Sequence, residues 1–258
     1  MEPSFFLKRP QSRLSIMSWN VNGVRTKLEK VYVHNLLLNY DVIGLYEIKT
    51  PLSVSFPGYV SYISRDANNP HRGGTCVLIK QHLSCYVTEL DATITDQVWF
   101  KFKCIPDVLF GFCYVPPSDS PYFSLTLLSN IQEKIKSSHS NGCVVMGDMN
   151  ARFGNAVLEL PGRLGCEQYS YTDIPDRVQP NDNANALLGV CIDEKLLIVN
   201  NLCTGEKTYL ITEHIVKAEC GYQSLTPVSC LQILLNIYVT LMLIRIWRYS
   251  QTTHLFPL

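Results

Sequence analysis

The chain has 258 residues, 47% of them hydrophobic and 17% charged, with 22 Lys+Arg against 22 Asp+Glu. That length can bury most of its apolar surface in one large domain or two small ones. The charge balance excludes a global positive field of the kind that draws a protein non-specifically to nucleic acid, but not an enzyme whose contacts are local to one cleft.

The first stretch, MEPSFFLKRPQSR, is charged at Glu2, Lys8, Arg9 and Arg13 and has no apolar signal core, so residues 1–13 read as an extension. LSIMSWNV then reads as a buried strand and DVIGLYEIK as another. Between them KLEKVYVHNLLLNY has helical spacing, giving a strand–helix–strand unit. GGTCVLIK, VWFKFKC and VLFGFCYVPP follow as three strand-like runs. YFSLTLLSNIQEKIKSS is an amphipathic helix leading into the strand CVVMGD, and ANALLGVCIDEKL is a further helix before the strand LIVNN. Interleaved strands and helices predict sheets covered by helices. Ten cysteines show no C-x-x-C pair, and Cys76, Cys104, Cys113, Cys143 and Cys191 lie in apolar segments, which favours a reducing, intracellular setting, nuclear or cytoplasmic.

After Tyr209 the texture changes, and no Asp, Glu, Lys or Arg occurs from Cys220 to Ile244. The run from Val228 to Ile244 reads as one helix better than as two strands. It is nearly long enough to span a membrane, so membrane association through 228–244 is an alternative expectation. A third is that residues 210–258 belong to another reading frame.

Four polar clusters end apolar strands: SWNVNG with Asn20 and Asn22, LYEIK with Glu47, CYVPP with Tyr114, and GDMNA with Asp148 and Asn150. Each alone has a bland reading as a turn, a solvated surface residue or rim packing. Together they fit the rule that sites in α/β folds collect at the carboxyl ends of strands. Hard cations such as Mg²⁺ prefer oxygen donors, one or two carboxylates with waters and a substrate phosphate, and Glu47 and Asp148 with the asparagines supply such a set. The loop SRDANNPHRGGT, carrying Arg65, His71 and Arg72, is a local source of phosphate contact or an ordinary solvated connector.

These ordered motifs resemble the endonuclease/exonuclease/phosphatase superfamily over roughly Leu14 to Tyr209. GDMNARFGN, NDNANALLGVCIDEKLLIVNN and KTY are most similar to the endonucleases of non-LTR (LINE-type) retrotransposons, relatives of the apurinic repair endonucleases. The resemblance implies a two-sheet α/β sandwich over residues 14–209, with its last strands incomplete, and Mg²⁺- or Mn²⁺-dependent cleavage of a phosphodiester in DNA by a monomer. It casts Glu47 and Asn22 as metal-binding, Tyr114 as a contact to the scissile phosphate, and Asp148 as the residue that prepares the attacking water. Asn150 and Asn20 stand beside them. From the basic residues of the loop SRDANNPHRGGT, and not from the resemblance, Arg65 and Arg72 are expected to bind substrate.

The superfamily's closing signatures, an I-D strand and a terminal Ser-Asp-His, do not occur. His254 before Leu255-Phe256-Pro257 is the nearest candidate, with Thr253 where the acid would stand. Three readings therefore stay open: an active endonuclease, an inactive remnant or binding module of the same fold, and a membrane-anchored protein. A phosphatase of the superfamily is the runner-up on substrate.

Overall fold

The computed structural model describes residues 13–154, 157–162, 165–170, 179–198, 207–210, 213–218, 232–238 and 241–245. LSIMSWN lies in β1 (Arg13–Asn20). The helical segment after it divides into α1 (Arg25–Leu28) and α2 (Val31–Leu37), broken where Lys30 is extended. Then come β2 (Val42–Tyr46), β3 (Tyr59–Ser64), β4 (Thr75–Lys80), the single turn α3 (Gln81–Ser84), β5 (Val87–Asp91), β6 (Gln97–Phe102) and β7 (Ile105–Tyr114). The chain continues through α4 (Thr126–Ser137), β8 (Gly142–Asp148), the hairpin β9 (Val157–Gly162) and β10 (Gly165–Ser170), α5 (Asp182–Glu194) and β11 (Leu197–Ile198). It ends in β12 (Lys207–Leu210), β13 (Glu213–Ala218), β14 (Gln232–Tyr238) and β15 (Leu241–Arg245).

Two mixed sheets result, ordered β12-β13-β14-β1-β2-β4-β3 and β11-β15-β8-β7-β6-β5. The inner faces meet in one core, where Ile16, Val42, Tyr46, Val77 and Ile79 pack with Phe100, Phe110, Phe112, Val144 and Met146. Helices cover the outer faces. Val33 and Leu37 of α2 pack on Met17, Ile43 and Leu45, while Leu128, Ile131 and Ile135 of α4 and Leu187 and Cys191 of α5 pack on Leu109, Cys113 and Val145. This is the α/β sandwich the sequence implied. β2 and β8 read as continuous apolar runs because both of their faces are covered.

The parallel pairs β1–β2 and β7–β8 bring four strand ends to one edge, with Asn20 opposite Tyr46 and Tyr114 opposite Asp148. Side chains alternate along a strand, so the inward series Ile16, Ser18, Asn20 and Phe110, Phe112, Tyr114 and Val144, Met146, Asp148 each end in a polar group on the inter-sheet side. Gly147 permits the last of these. A Cβ there would lie 1.7 Å from the Cys113 carbonyl oxygen, so only glycine lets β8 run this close to β7.

The expectation of one helix across 228–244, with the closing strands missing, is corrected. Gln232–Tyr238 pairs parallel with β1, and Leu241–Arg245 pairs antiparallel with β8, so the tail adds strands to both sheets. A short apolar run has no periodicity that separates a buried strand from a buried helix, and the open edges of β1 and β8 decide in favour of strands. Among the described residues, no helix is long and apolar enough to cross a membrane. His254 lies outside the described residues.

Candidate active site

Glu47 follows the last residue of β2, and strict alternation would turn its side chain away from the inner face that Tyr46 occupies. The backbone prevents this by entering the left-handed region, with φ 54° at Glu47, 48° at Lys49 and 40° at Asn22. Such conformations are costly for side chains other than glycine and persist only where surrounding bonds over-determine them. Here they do. The carbonyls of Tyr46, Glu47 and Ile48 accept from the N–H groups of Val21, Gly23 and Val24, and the N–H groups of Ile48 and Lys49 donate to Gly74 and Gly73. Gly73 and Gly74 have φ 53° and 88°, which suits this turn to glycine.

The resulting geometry brings the strand ends into contact. The Asn20 carboxamide donates at 2.7 Å to Glu47 Oε1 and at 2.7 Å to Asp148 Oδ2, bridging carboxylates on different sheets. Asn20 Oδ1 accepts from the Asn22 N–H at 2.9 Å, which fixes the amide's orientation. Lys49 Nζ lies 2.5 Å from Glu47 Oε2 and donates at 2.6 Å to Asn22 Oδ1. The Tyr114 hydroxyl is in hydrogen-bonding reach of the Glu47 carboxylate. Asn150, also left-handed at φ 47°, donates its N–H to Asp148 Oδ1 at 3.1 Å and its side-chain amide to the Val115 carbonyl at 2.9 Å.

The two carboxylates differ in proton affinity. Burial would raise Glu47, but hydrogen bonds from Lys49 and Asn20 and the lysine charge outweigh it and hold this carboxyl below its ordinary value. Burial dominates at Asp148 and raises it, helped by the nearby Glu47 charge and opposed by bonds from Asn20 and Asn150. Tyr114 is raised too, by burial and by both negative charges, so its hydroxyl stays protonated. Carboxyls whose environments push them apart are suited to different roles.

Whether these residues suit a divalent cation can be judged from their donors. Glu47 Oε2 and Asn22 Oδ1 already converge on one cation, the Lys49 ammonium, which acts as an internal stand-in. A carboxylate and a carboxamide oxygen, with a second carboxylate one amide away, fit Mg²⁺ or Mn²⁺ retaining several waters. Among the described residues no group of three or more His, Cys, Asp or Glu could hold a metal. A cation here would depend on amide oxygen and water as well as Glu47.

Asn20, Asn22, Glu47, Tyr114, Asp148 and Asn150 are thus brought together, while Arg65 and Arg72 are engaged elsewhere. The Arg65 guanidinium donates to the carbonyls of Thr50, Pro51 and Leu52 at 2.6, 2.6 and 2.9 Å and staples the loop after Lys49. Arg72 stacks on Tyr122 at 4.4 Å and lies 3.4 Å from Asp66 and 3.9 Å from Asp96.

Three supports were not read from the sequence: Lys49, the pair Asn181 and Asn183, and Asp96. Lys49 stood in the EIK cluster as a bystander. Asn181 caps α5 through Ala184 and donates to the Asn150 carbonyl at 2.8 Å, and Asn183 donates to the Pro116 and Met149 carbonyls at 3.0 and 2.8 Å. Asn183 is buried, and two asparagines at the start of the helix following the GDMNA cluster were the signal. Asp96 is the third. Its Oδ1 accepts from the Gly74 N–H at 2.6 Å, and its carbonyl accepts from Thr75 Oγ1 and the Tyr114 N–H at 2.8 and 2.9 Å, tying the two sheets at this edge.

A helix-covered double sheet thus brings bridged carboxylates together at adjoining strand ends. The Endonuclease/Exonuclease/phosphatase family matches residues 17–189, more than half of the chain. The chain belongs to that family. Among solved structures, it is similar to an AP endonuclease from Archaeoglobus fulgidus, at 16% identity over 76% of this chain and 78% of that one, with a TM-score of 0.50. It is also similar to the AP endonuclease LMAP from Leishmania major, at 14% identity over 75% and 72%, with a TM-score of 0.51. At such identities the likeness is one of fold. No curated protein matches the chain.

Proposed function

We propose that the chain is a DNA endonuclease that hydrolyses a phosphodiester bond with Mg²⁺ or Mn²⁺ held at Glu47 and Asn22. The observation that carries this reading is the Asn20 carboxamide, which binds Glu47 Oε1 and Asp148 Oδ2 together at 2.7 Å each. When bound, the cation would neutralise charge on a phosphate oxygen. Asp148, with raised proton affinity, takes the proton of the attacking water. The Tyr114 hydroxyl stays protonated and donates toward the phosphate. Asn150 fixes the β7 and β8 ends against each other through Val115 and Asp148. Asn20 keeps the cation side and the water side in register.

The motifs WNVNG, YVPP and GDMNARFGN support a retrotransposon-type endonuclease that nicks one strand of target DNA. The alternative reading is a catalytically inactive member of the family. Plasmid nicking with and without EDTA separates the two readings. Nicking that requires Mg²⁺ or Mn²⁺ and is lost in Asp148→Ala supports the nuclease, whereas equal background nicking by both chains supports the inactive reading.

A further inference from the structure

Lys49 caps the one side of Glu47 that the second carboxylate does not reach. Glu47 Oε1 faces Asn20 and, through it, Asp148, while Oε2 faces the ammonium at 2.5 Å. The same ammonium donates to Asn22 Oδ1 at 2.6 Å. The left-handed backbone at Lys49 is held by the Gly73 carbonyl, and it turns the side chain back toward the residue two positions earlier. Among the described residues, Lys49 is the cation that forms an ion pair with either site carboxylate. Its side chain is 38% exposed, against 17% for Glu47, so it can swing into solvent without disturbing the core.

We propose that Lys49 is an internal counter-ion that holds the divalent-cation position at rest, and that a divalent ion enters by displacing the ammonium from Glu47 Oε2 and Asn22 Oδ1. This rests on the reading of Glu47 as a cation ligand. One positive group satisfies both oxygens and offsets the paired carboxylates, so the strained Glu47 turn keeps its geometry before any ion arrives. The site then binds divalent ions less tightly than its oxygen donors alone would. A half-exposed, charge-assisted pair corresponds to a penalty of about three- to tenfold in affinity.

The test titrates the whole chain with Mn²⁺ and reads free ion by electron paramagnetic resonance at low ionic strength, with thermal melts confirming that each variant is folded. Lys49→Met keeps an unbranched stem and is expected to bind Mn²⁺ about three- to tenfold more tightly than wild type, by the same reasoning. Lys49→Arg keeps the charge and is expected to bind like wild type, and Glu47→Gln is expected to lose the site. Unchanged or weaker binding by Lys49→Met, with binding still lost in Glu47→Gln, overturns the counter-ion role and leaves the cation reading intact. Equal tightening by Lys49→Arg and Lys49→Met overturns it as well. Wild-type binding in Glu47→Gln removes the cation reading, and the proposal with it.

Discussion

The site is built from two unlike corners. On the first sheet, Glu47 sits in a left-handed turn, is paired with a half-exposed lysine, and has its proton affinity lowered. On the second sheet, Asp148 ends a regular strand, has amides as its hydrogen-bond donors, and has its proton affinity raised by burial. The two carboxylates share the Asn20 amide as a hydrogen-bond donor and differ in almost everything else. These environments suit Glu47 to a positive partner and, in the proposed reaction, Asp148 to taking a proton.

Substituting one corner at a time is the strongest way to break that division. Asp148→Ala is expected to slow nicking by ~10²–10⁴-fold while leaving Mn²⁺ binding in place, as fits a general base. Mn²⁺ binding lost along with activity in Asp148→Ala would merge the two corners into one metal site. Asn20→Ala removes the shared donor and is expected to cost about 10²-fold, in the range seen for one preorganised hydrogen bond. The Asn20 bond lowers the proton affinity of Asp148. Its loss should therefore move the acid limb of the pH–rate profile to higher pH, and an unmoved limb would assign that limb to another group.

Asp96 sharpens the comparison because it joins the corners from behind. It is buried, faces Arg72, Asp66 and Glu47, and has its proton affinity raised to about 6, chiefly by burial. The folded chain therefore holds this proton at pH values where the unfolded chain, at 3.8, has released it. Stability falls as pH rises through that window, by at most ~3 kcal/mol. Asp96→Asn keeps an acceptor for the Gly74 N–H and should flatten the slope of stability against pH between about 4 and 6. Denaturant melts at four pH values would show it, and an unchanged slope would place the titration elsewhere. The smallest effect concerns Arg65. Its three carbonyl bonds make it a loop staple, so Arg65→Ala should cost about 1–3 kcal/mol of stability. The salt dependence of DNA binding should stay the same, and a flatter slope would show a phosphate contact instead.

Legibility in the sequence followed burial. LSIMSWN, VIGLY and CVVMGD were visible as strands because central strands covered on both faces are continuous apolar runs. Tyr59–Ser64 and Val87–Asp91 were not visible. They are the edge strands of their sheets, half-exposed, and the second carries Glu89 and Asp91. YFSLTLLSNIQEKIKSS yielded α4 over Thr126–Ser137, since Leu128, Ile131 and Ile135 recur at helical spacing and are buried. The helix expected over KLEKVYVHNLLLNY divided at Glu29–Lys30, and Cys104, expected in an apolar setting, is exposed.

The sequence by itself determined which side chains reach the strand ends. Two-residue alternation carries the inward face of β1, β7 and β8 to Asn20, Tyr114 and Asp148, and this can be counted from the residues alone. It could not determine that Glu47 joins them, because alternation sends that side chain the other way and a left-handed turn held by Gly73 and Gly74 reverses it. Nor could it determine the partners of Lys49, Arg65 and Asp96, which lie 2 to 27 residues away among carbonyls and amides with no sequence pattern. The strands of the tail were decided the same way. An apolar run is compatible with helix or strand, and pairing to the open edges of β1 and β8 exists only once both sheets have formed.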